Sequence, residues 1–304
     1  MSAVTTRPLA AERERKLAEP SRPGWLRRWQ LRHVGHFFRY VFLVVLALTI
    51  VYPLLWIALA GFKTNTAFLQ HPFAWPTSFS LSNYKTVLIT NGFYKNLLNS
   101  LWIALLTTAI VLVLSSGLAY AIARLEWKLQ KIALGYVLSG LLMPVYAALV
   151  PLYIYLHPVE AVLGPGVTLV IPYIALGMPV SVLLLVGYFR QLPYSLEEAA
   201  LLDGATTLQT LVRIIVPISL PSVVVAATFT FLNCWNELLF ALVFITAPGE
   251  QTAPVSLLQY TGSFGNNWVF ELAGITLAVI PTLLIYLGLQ RHIMEGMLKG
   301  ASVG

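Results

Sequence analysis

The chain is short of charge. Asp, Glu, Lys and Arg make up 10% of its 304 residues and hydrophobic residues 58%; soluble domains carry about 25% charged residues. Most of the chain is therefore not built to face water. Cysteine is nearly absent as well. Cys234 stands alone, which excludes an intramolecular disulfide and a cysteine-built metal cluster. No glycine-rich loop ending in Gly-Lys-Ser/Thr occurs, nor His-Glu-x-x-His, nor Gly-x-Ser-x-Gly, and the five histidines are scattered. The usual phosphate-cradling, zinc-hydrolase and serine-nucleophile devices are thus missing. The long apolar stretches hold almost no ionisable group, which argues against intramembrane catalysis and against a proton or ion relay. The chain is expected to be no enzyme and to bind no cofactor or metal, its energy coming from a partner.

What the chain has is long uncharged runs. No Asp, Glu, Lys or Arg occurs in Tyr40–Phe62, Asn96–Ala123, Ile132–Val159, Ala161–Phe189, Ile214–Asn236 or Leu272–Gln290. About 20 apolar residues cross a bilayer core as a helix. A strand needs about 10, so a barrel does not fit. The expectation is an all-α integral membrane protein with six spans near 40–61, 97–123, 132–156, 167–188, 218–245 and 271–290. Lys and Arg set the orientation. Nine lie in residues 1–39, three in 124–131, two in 190–213 and two after Gln290, against Lys63, Lys85 and Lys95 on the other side. The first set marks the cytoplasm, so both termini lie inside. The net charge of +7 follows from this bias and does not imply nucleic acid.

The flanking segments read accordingly. Residues 1–38 form a cytoplasmic tail, largely disordered in its polar first part. Arg27, Arg28 and Arg32 with Trp25 and Trp29 suit a short helix on an anionic lipid surface. The first apolar run starts too late and runs too long for a cleaved signal peptide. In the first external segment, Phe73, Trp75, Phe79 and Tyr84 read as an aromatic belt, with a sugar platform as the weaker alternative. Ser115, Ser116, Gly117, Ala119, Ala121 and Ala123 favour close helix packing in span two, and Gly164-Pro165-Gly166 turns the chain between spans three and four. Residues 291–304 form a cytoplasmic tail.

The cytoplasmic segment 190–217 is the most informative. Ser195-x-x-Glu198 and Thr206-x-x-Gln209 both read as capping boxes, and Gly204 between them suits a left-handed helix stop. The segment should fold as helix, turn, helix at the membrane surface, a shape suited to docking. Pro217 and Pro221 are expected to end the second short helix and open span five.

The run Glu198-Ala199-Ala200-Leu201-Leu202-Asp203-Gly204-Ala205, continuing to Ile214, Pro217 and Leu220-Pro221, resembles the EAA loop of ABC importer permeases. Asn99-Ser100-Leu101, Ala119-Tyr120-Ala121-Ile122-Ala123-Arg124, Trp235-Asn236-Glu237 and Glu295-Gly296-Met297-Leu298-Lys299-Gly300 are similar to carbohydrate importers, specifically the smaller six-span permease of maltose-type systems. Together these cover roughly residues 80–300. The resemblance implies the type I permease fold, in a bacterial plasma (inner) membrane. It implies coupling to an ATPase dimer through Glu197, Glu198, Ala199, Ala200, Asp203, Gly204 and Ala205. It implies a second permease subunit, an extracytoplasmic solute-binding protein and a sugar substrate, with ATP and Mg on the ATPase alone. It also implies that Gly296, Lys299 and Gly300 reach the ATPase, although the tail departs from the family pattern.

Within the spans, Glu237 is the exceptional carboxylate. Counted from Leu220 it lies about 26 Å along a helix axis, near the outer edge of the core. It reads either as a snorkelling or loop-bonded group or as part of an external gate. Asn233 shares a helical face with Asn236 and Glu237. That polar stripe faces either a sugar route or a neighbouring helix. The functional expectation is half of the pathway of a binding-protein-dependent sugar importer. The alternatives are a permease for another solute, such as polyamine or phosphate ester, and a non-transporting scaffold subunit.

Overall fold

The computed structural model describes the backbone of residues 24–261 and 267–301, and the side chains of residues 39–260 and 267–291. The chain divides into two units, Met1–Trp56 and Ile57–Gly304. The described part of the first is helical and belongs to α1 (Gly24–Ala60). The basic helix expected around Trp25–Arg32 and the first span are thus one continuous helix, with Arg39–Ala60 as its apolar part. Large side chains from Tyr40 to Leu48 are exposed, as suits a helix in lipid. Residues 1–23, the larger part of the expected tail, lie outside the described residues.

The second unit begins with the external segment. Here α2 (Asn65–Gln70) and α3 (Ser82–Lys85) precede a π-helical turn, Thr86–Thr90. Phe73, Trp75 and Phe79 are exposed, consistent with an aromatic rim, but Tyr84 is not part of it. Its hydroxyl donates to the Ala58 carbonyl (2.6 Å) and its ring lies 5.2 Å from that of Phe62. Gly61 makes this possible, since a β-carbon there would strike the Tyr84 ring. Burial raises the Tyr84 pKa above its ordinary value. Lys63 turns back into the same segment, donating to the His71 and Pro72 carbonyls (3.0 and 2.9 Å), and burial lowers its pKa.

The core is built on α4 (Phe93–Arg124) and α7 (Pro165–Phe189), the most extensively paired helices. Small residues allow their approach: Ser115, Ser116, Ala119 and Ala123 are buried, with Gly117 and Ala121 partly so. One apolar cluster joins Ile103, Leu169, Tyr173, Phe240 and Phe244, and another joins Ala119, Val182, Leu185, Phe189, Leu211 and Ile215. Each buried side chain of this size stabilises the packing by about 1.5–3 kcal/mol relative to water, so it is in the water-facing parts that this burial drives folding; in lipid, close packing and interhelical hydrogen bonds take over. Two such bonds are the Ser181–Thr230 pair (3.0 Å) and Trp235 Nε1 to the Ala278 carbonyl (3.2 Å).

Two of the expected spans are broken. Span three, expected over 132–156, is α5 (Gln130–Ser139), a tight turn to Leu142, an extended Met143, a second tight turn over Val145–Ala148, and α6 (Leu149–Leu163). Pro144 explains the break. A proline pushes the residue before it out of the helical region, and Met143 sits at φ −74°, ψ 128°. Span five, expected over 218–245, is α11 (Leu220–Asn236) and α12 (Leu239–Phe244) with Glu237 extended between them (φ −71°, ψ 127°). Five described helices are long and apolar enough to span a membrane, and a sixth span results if α11 is counted with the helical segment before it, to which it is bent by 83°. Gly164, at φ +81°, ends α6, and Pro165 starts α7, as expected of that turn.

The external loop after α12 is tied to the start of α4 by Asn96 and by two side chains of the Asn99-Ser100-Leu101 motif. Asn96 and Asn99 donate to the Gln251 carbonyl (2.9 and 3.2 Å), and Ser100 Oγ accepts from the Ala253 amide (2.8 Å) at the start of α13 (Ala253–Leu257). The last helix, α14, runs from Trp268 to Ala301.

Candidate coupling loop and pathway cavity

The segment after α7 folds as α8 (Ser195–Leu202), a turn at Gly204, α9 (Thr207–Thr210), a π-helical turn over Leu211–Ile215, and α10 (Val216–Ile218). Gly204 has φ +78°. Its amide donates to the Leu201 carbonyl (3.0 Å) and the Ala205 amide to the Ala200 carbonyl (2.9 Å). These are the two bonds of a Schellman stop, which requires the left-handed conformation that glycine adopts without strain. The Thr206 capping box is present in both directions: Thr206 Oγ1 accepts from the Gln209 amide (3.3 Å), and Gln209 Oε1 from the Thr206 amide (2.8 Å).

The Ser195 capping box is not present. Tyr194 occupies the N-cap position in a helical conformation and makes no side-chain cap bond; Ser195 is already the first helical residue. The reason lies in Arg124, at the end of α4. Its Nε bonds Glu197 Oε1 at 2.9 Å, and its two terminal nitrogens donate to the Leu192 and Pro193 carbonyls (2.9 and 3.3 Å). Its guanidinium also lies over the Tyr194 ring, 3.9 Å from the centroid. The Arg124 side chain is 0% exposed and that of Glu197 17%. This grip holds the residues just before the helix, with Tyr194 already in the helical region (φ −64°, ψ −25°), so Ser195 is inside the helix and lacks the extended backbone an N-cap needs. Glu198 does not cap its own helix and is exposed.

The helix bend falls between the two prolines. Pro217 sits inside α10, one residue before the helical segment ends at Ile218. The 83° bend is at Ser219, which is fully buried, and Pro221 opens α11 as expected.

The loop residues therefore divide. Glu197 and Ala200 turn towards their own chain, Glu197 through Arg124 and Ala200 by burial. Glu198, Ala199, Asp203 and Gly204 are exposed, and Ala205 partly so. Beside them stand side chains that pattern reading passed over: Leu201 is 74% exposed, Leu202 89% and Leu208 69%. Three leucines this exposed on one short, capped segment are apolar surface of the kind that marks a protein contact. Arg124 was visible in the Ala-Tyr-Ala-Ile-Ala-Arg motif, but nothing in the sequence said that its partner stands 73 residues away.

A second site lies where the two broken spans meet. Tyr146, from the break in span three, and Asn233, Asn236 and Glu237, from the end of α11, line a cavity of about 450 Å³ together with Tyr173 and Thr230. The three expected pathway residues are thus brought together. Glu237 is a loop-bonded carboxylate: Oε1 accepts from the Phe240 amide (2.9 Å), and Oε2 from the Ala241 amide (3.1 Å) and the Tyr173 hydroxyl (2.7 Å). It caps α12 and ties it to α7. Asn236 Nδ2 donates back to the Leu232 carbonyl (2.8 Å). Gly296, Lys299 and Gly300 fall on the last turns of α14, and the contacts expected of their side chains lie outside the described residues. Among the described residues no group of three or more His, Cys, Asp or Glu is placed to hold a metal ion.

Apolar membrane-length helices beside a cavity lined by both polar and apolar side chains, with a stiffened helix–turn–helix, are the features of a helical membrane permease subunit. The comparisons say which family. Residues 112–299 match the family described as binding-protein-dependent transport system inner membrane component, and the chain belongs to it. Relatives include the trehalose/maltose transport system permease protein MalG of Thermococcus litoralis, 33% identical over 86% of this chain and 94% of that protein. The trehalose transport system permease protein SugB of Mycobacterium tuberculosis is 34% identical over 83% and 92%. The sulfoquinovosyl glycerol transport system permease protein SmoH of Agrobacterium fabrum is 31% identical over 88% and 93%. In fold the chain is similar to one from a bacterial ABC transporter involved in the import of the acidic polysaccharide alginate, with a TM-score of 0.74 at 20% identity, over 86% of this chain and 97% of that one. The protein is a multi-pass inner-membrane subunit without catalytic activity of its own. A permease of this kind works with a separate ATPase and a solute-binding protein.

Proposed function

We propose that this chain forms half of the translocation pathway of a sugar importer, paired with a second, different permease, and that segment 190–217 docks on an ATPase dimer that carries the ATP and Mg. The observation that carries the reading is the exposure of Leu201, Leu202 and Leu208 on a segment tied to its own chain by Arg124 and Glu197. Relatives named for trehalose, maltose and diacetylchitobiose transport support a sugar as the solute.

In this reading Glu198, Ala199, Asp203, Gly204 and Ala205 meet the ATPase, while Glu197 and Ala200 fasten the loop to its own chain. A solute-binding protein delivers sugar to the external face. ATP binding draws the ATPase subunits together and the loop moves with them. Arg124 passes that motion to α4, and through its packing to α7. The two conformations differ little in free energy, and ATP and loaded binding protein bias them.

The test is affinity purification of the tagged chain from its native membrane. Wild type brings down an ATPase and a second permease. Leu201→Asp with Leu202→Asp places two charges in the contact and should reduce ATPase recovery at least tenfold at equal membrane insertion. Undiminished recovery would refute docking through this patch, and wild type without any ATPase would refute the importer assignment.

A further inference from the structure

The cavity at the two span breaks has a composition that decides what kind of solute it admits. Irregular backbone at membrane depth is tolerated only where it is buried in protein or lines a water-filled cavity. Here both irregular stretches, Met143–Val145 and Glu237–Leu238, flank one cavity of about 450 Å³. That is room for a solute of one or two sugar rings, within the usual size of small-molecule sites. Among apolar neighbours such as Leu176 and Leu232, its lining carries hydroxyls from Tyr146, Tyr173 and Thr230, amides from Asn233 and Asn236, the Cys234 thiol and the Glu237 carboxylate; among the described residues no Lys, Arg or His lines it.

The polar groups are not equally free. Three of the roughly four acceptor positions of the Glu237 carboxylate are taken by the Phe240 and Ala241 amides and the Tyr173 hydroxyl. Thr230 is paired with Ser181. The Asn236 amide nitrogen is turned back to Leu232, leaving its oxygen. Asn233 is exposed, and its amide offers donor and acceptor together in the cavity that Tyr146, a residue 60% exposed, also lines. Hydroxyl groups of a sugar match an amide of this kind in both senses, and an exposed aromatic face suits the apolar face of a pyranose. An anionic solute would meet a carboxylate with no counter-charge.

We infer that this cavity is a subsite for an uncharged sugar, with Asn233 its main hydrogen-bonding group, and that it discriminates against uronic or sulfonated sugars. The inference rests on the reading of the chain as half of a sugar pathway. Glu237 acts here as a positioning residue, holding α12 and Tyr173, and its charge repels anions.

The experiment uses the complex purified from native membranes with its partners, placed in nanodiscs and held with ATP and vanadate, without solute-binding protein. Radiolabelled maltose, trehalose and cellobiose are titrated as neutral probes and digalacturonate as the anionic one. At least one neutral disaccharide binds, and digalacturonate binds at least tenfold more weakly. Asn233→Leu lowers the neutral affinity at least tenfold, and Asn233→Gln recovers part of it. Equal or tighter binding of digalacturonate, wild-type affinity in Asn233→Leu, or no binding of any probe by an assembled complex would each overturn the subsite. Failure to recover any ATPase would instead overturn the importer reading on which it rests.

Discussion

Removing the Arg124 guanidinium should loosen the coupling loop without unfolding the permease. Arg124→Ala deletes the bond to Glu197 and the bonds to the Leu192 and Pro193 carbonyls in one step. Breaking one side of a buried ion pair costs about 3–5 kcal/mol. Glu197 keeps some contact with water, at 17% exposure, and can hydrate once released, so about 2 kcal/mol is the better expectation. That loss falls on the local opening of α8, whose eight residues bury only Ala200, rather than on the helix bundle. At 1.36 kcal/mol per tenfold, amides in residues 197–205 should exchange with deuterium about 30-fold faster. The assay is hydrogen exchange of the complex in nanodiscs, with amides of the buried middle of α7 as internal control. Arg124→Lys keeps the charge but not the fork of donors, and should fall between wild type and Ala. Glu197→Ala added to Arg124→Ala should cost much less than the two single changes summed. Exchange within twofold of wild type in Arg124→Ala, or additive effects in the double variant, would refute the anchor.

Two further outcomes are expected. At Gly204 a new β-carbon meets no atom within 4 Å, so a substitution is opposed by φ +78° alone; Gly204→Asn, which visits that region readily, should keep most uptake, whereas Gly204→Val should lose at least tenfold at equal expression. Glu237→Gln keeps one acceptor oxygen and should reduce uptake mildly, while Glu237→Ala strands the Phe240 and Ala241 amides and the Tyr173 hydroxyl at about 1–3 kcal/mol each; a thermal melt of the detergent-solubilised complex that ranks Gln as low as Ala would show that the charge, not the capping, is what matters.

The sequence by itself determined the class of the protein and the shape of its loop. Charge-free runs locate spans because a charge in hydrocarbon is expensive, and that signal is carried by each segment alone. Gly204 and the Thr206–Gln209 pair were legible for the same reason: a left-handed stop and a capping box are made within a few residues. Tertiary structure alone decided the rest. The expected Ser195 cap lost to Arg124, whose grip on Leu192, Pro193 and Glu197 is a contact across 73 residues that no local pattern encodes. The breaks at Met143–Pro144 and Glu237 interrupt runs that hydropathy reads as continuous, because hydropathy scores side chains and is blind to whether the backbone stays helical. Pro144 was a local hint of the first. The second is stabilised by a carboxylate that bonds the next helix and Tyr173, 64 residues away. Whether Asn233, Asn236 and Glu237 face a neighbouring helix or a cavity was open from periodicity, which names a face but not its neighbour; the meeting of the two breaks around them supplied that neighbour.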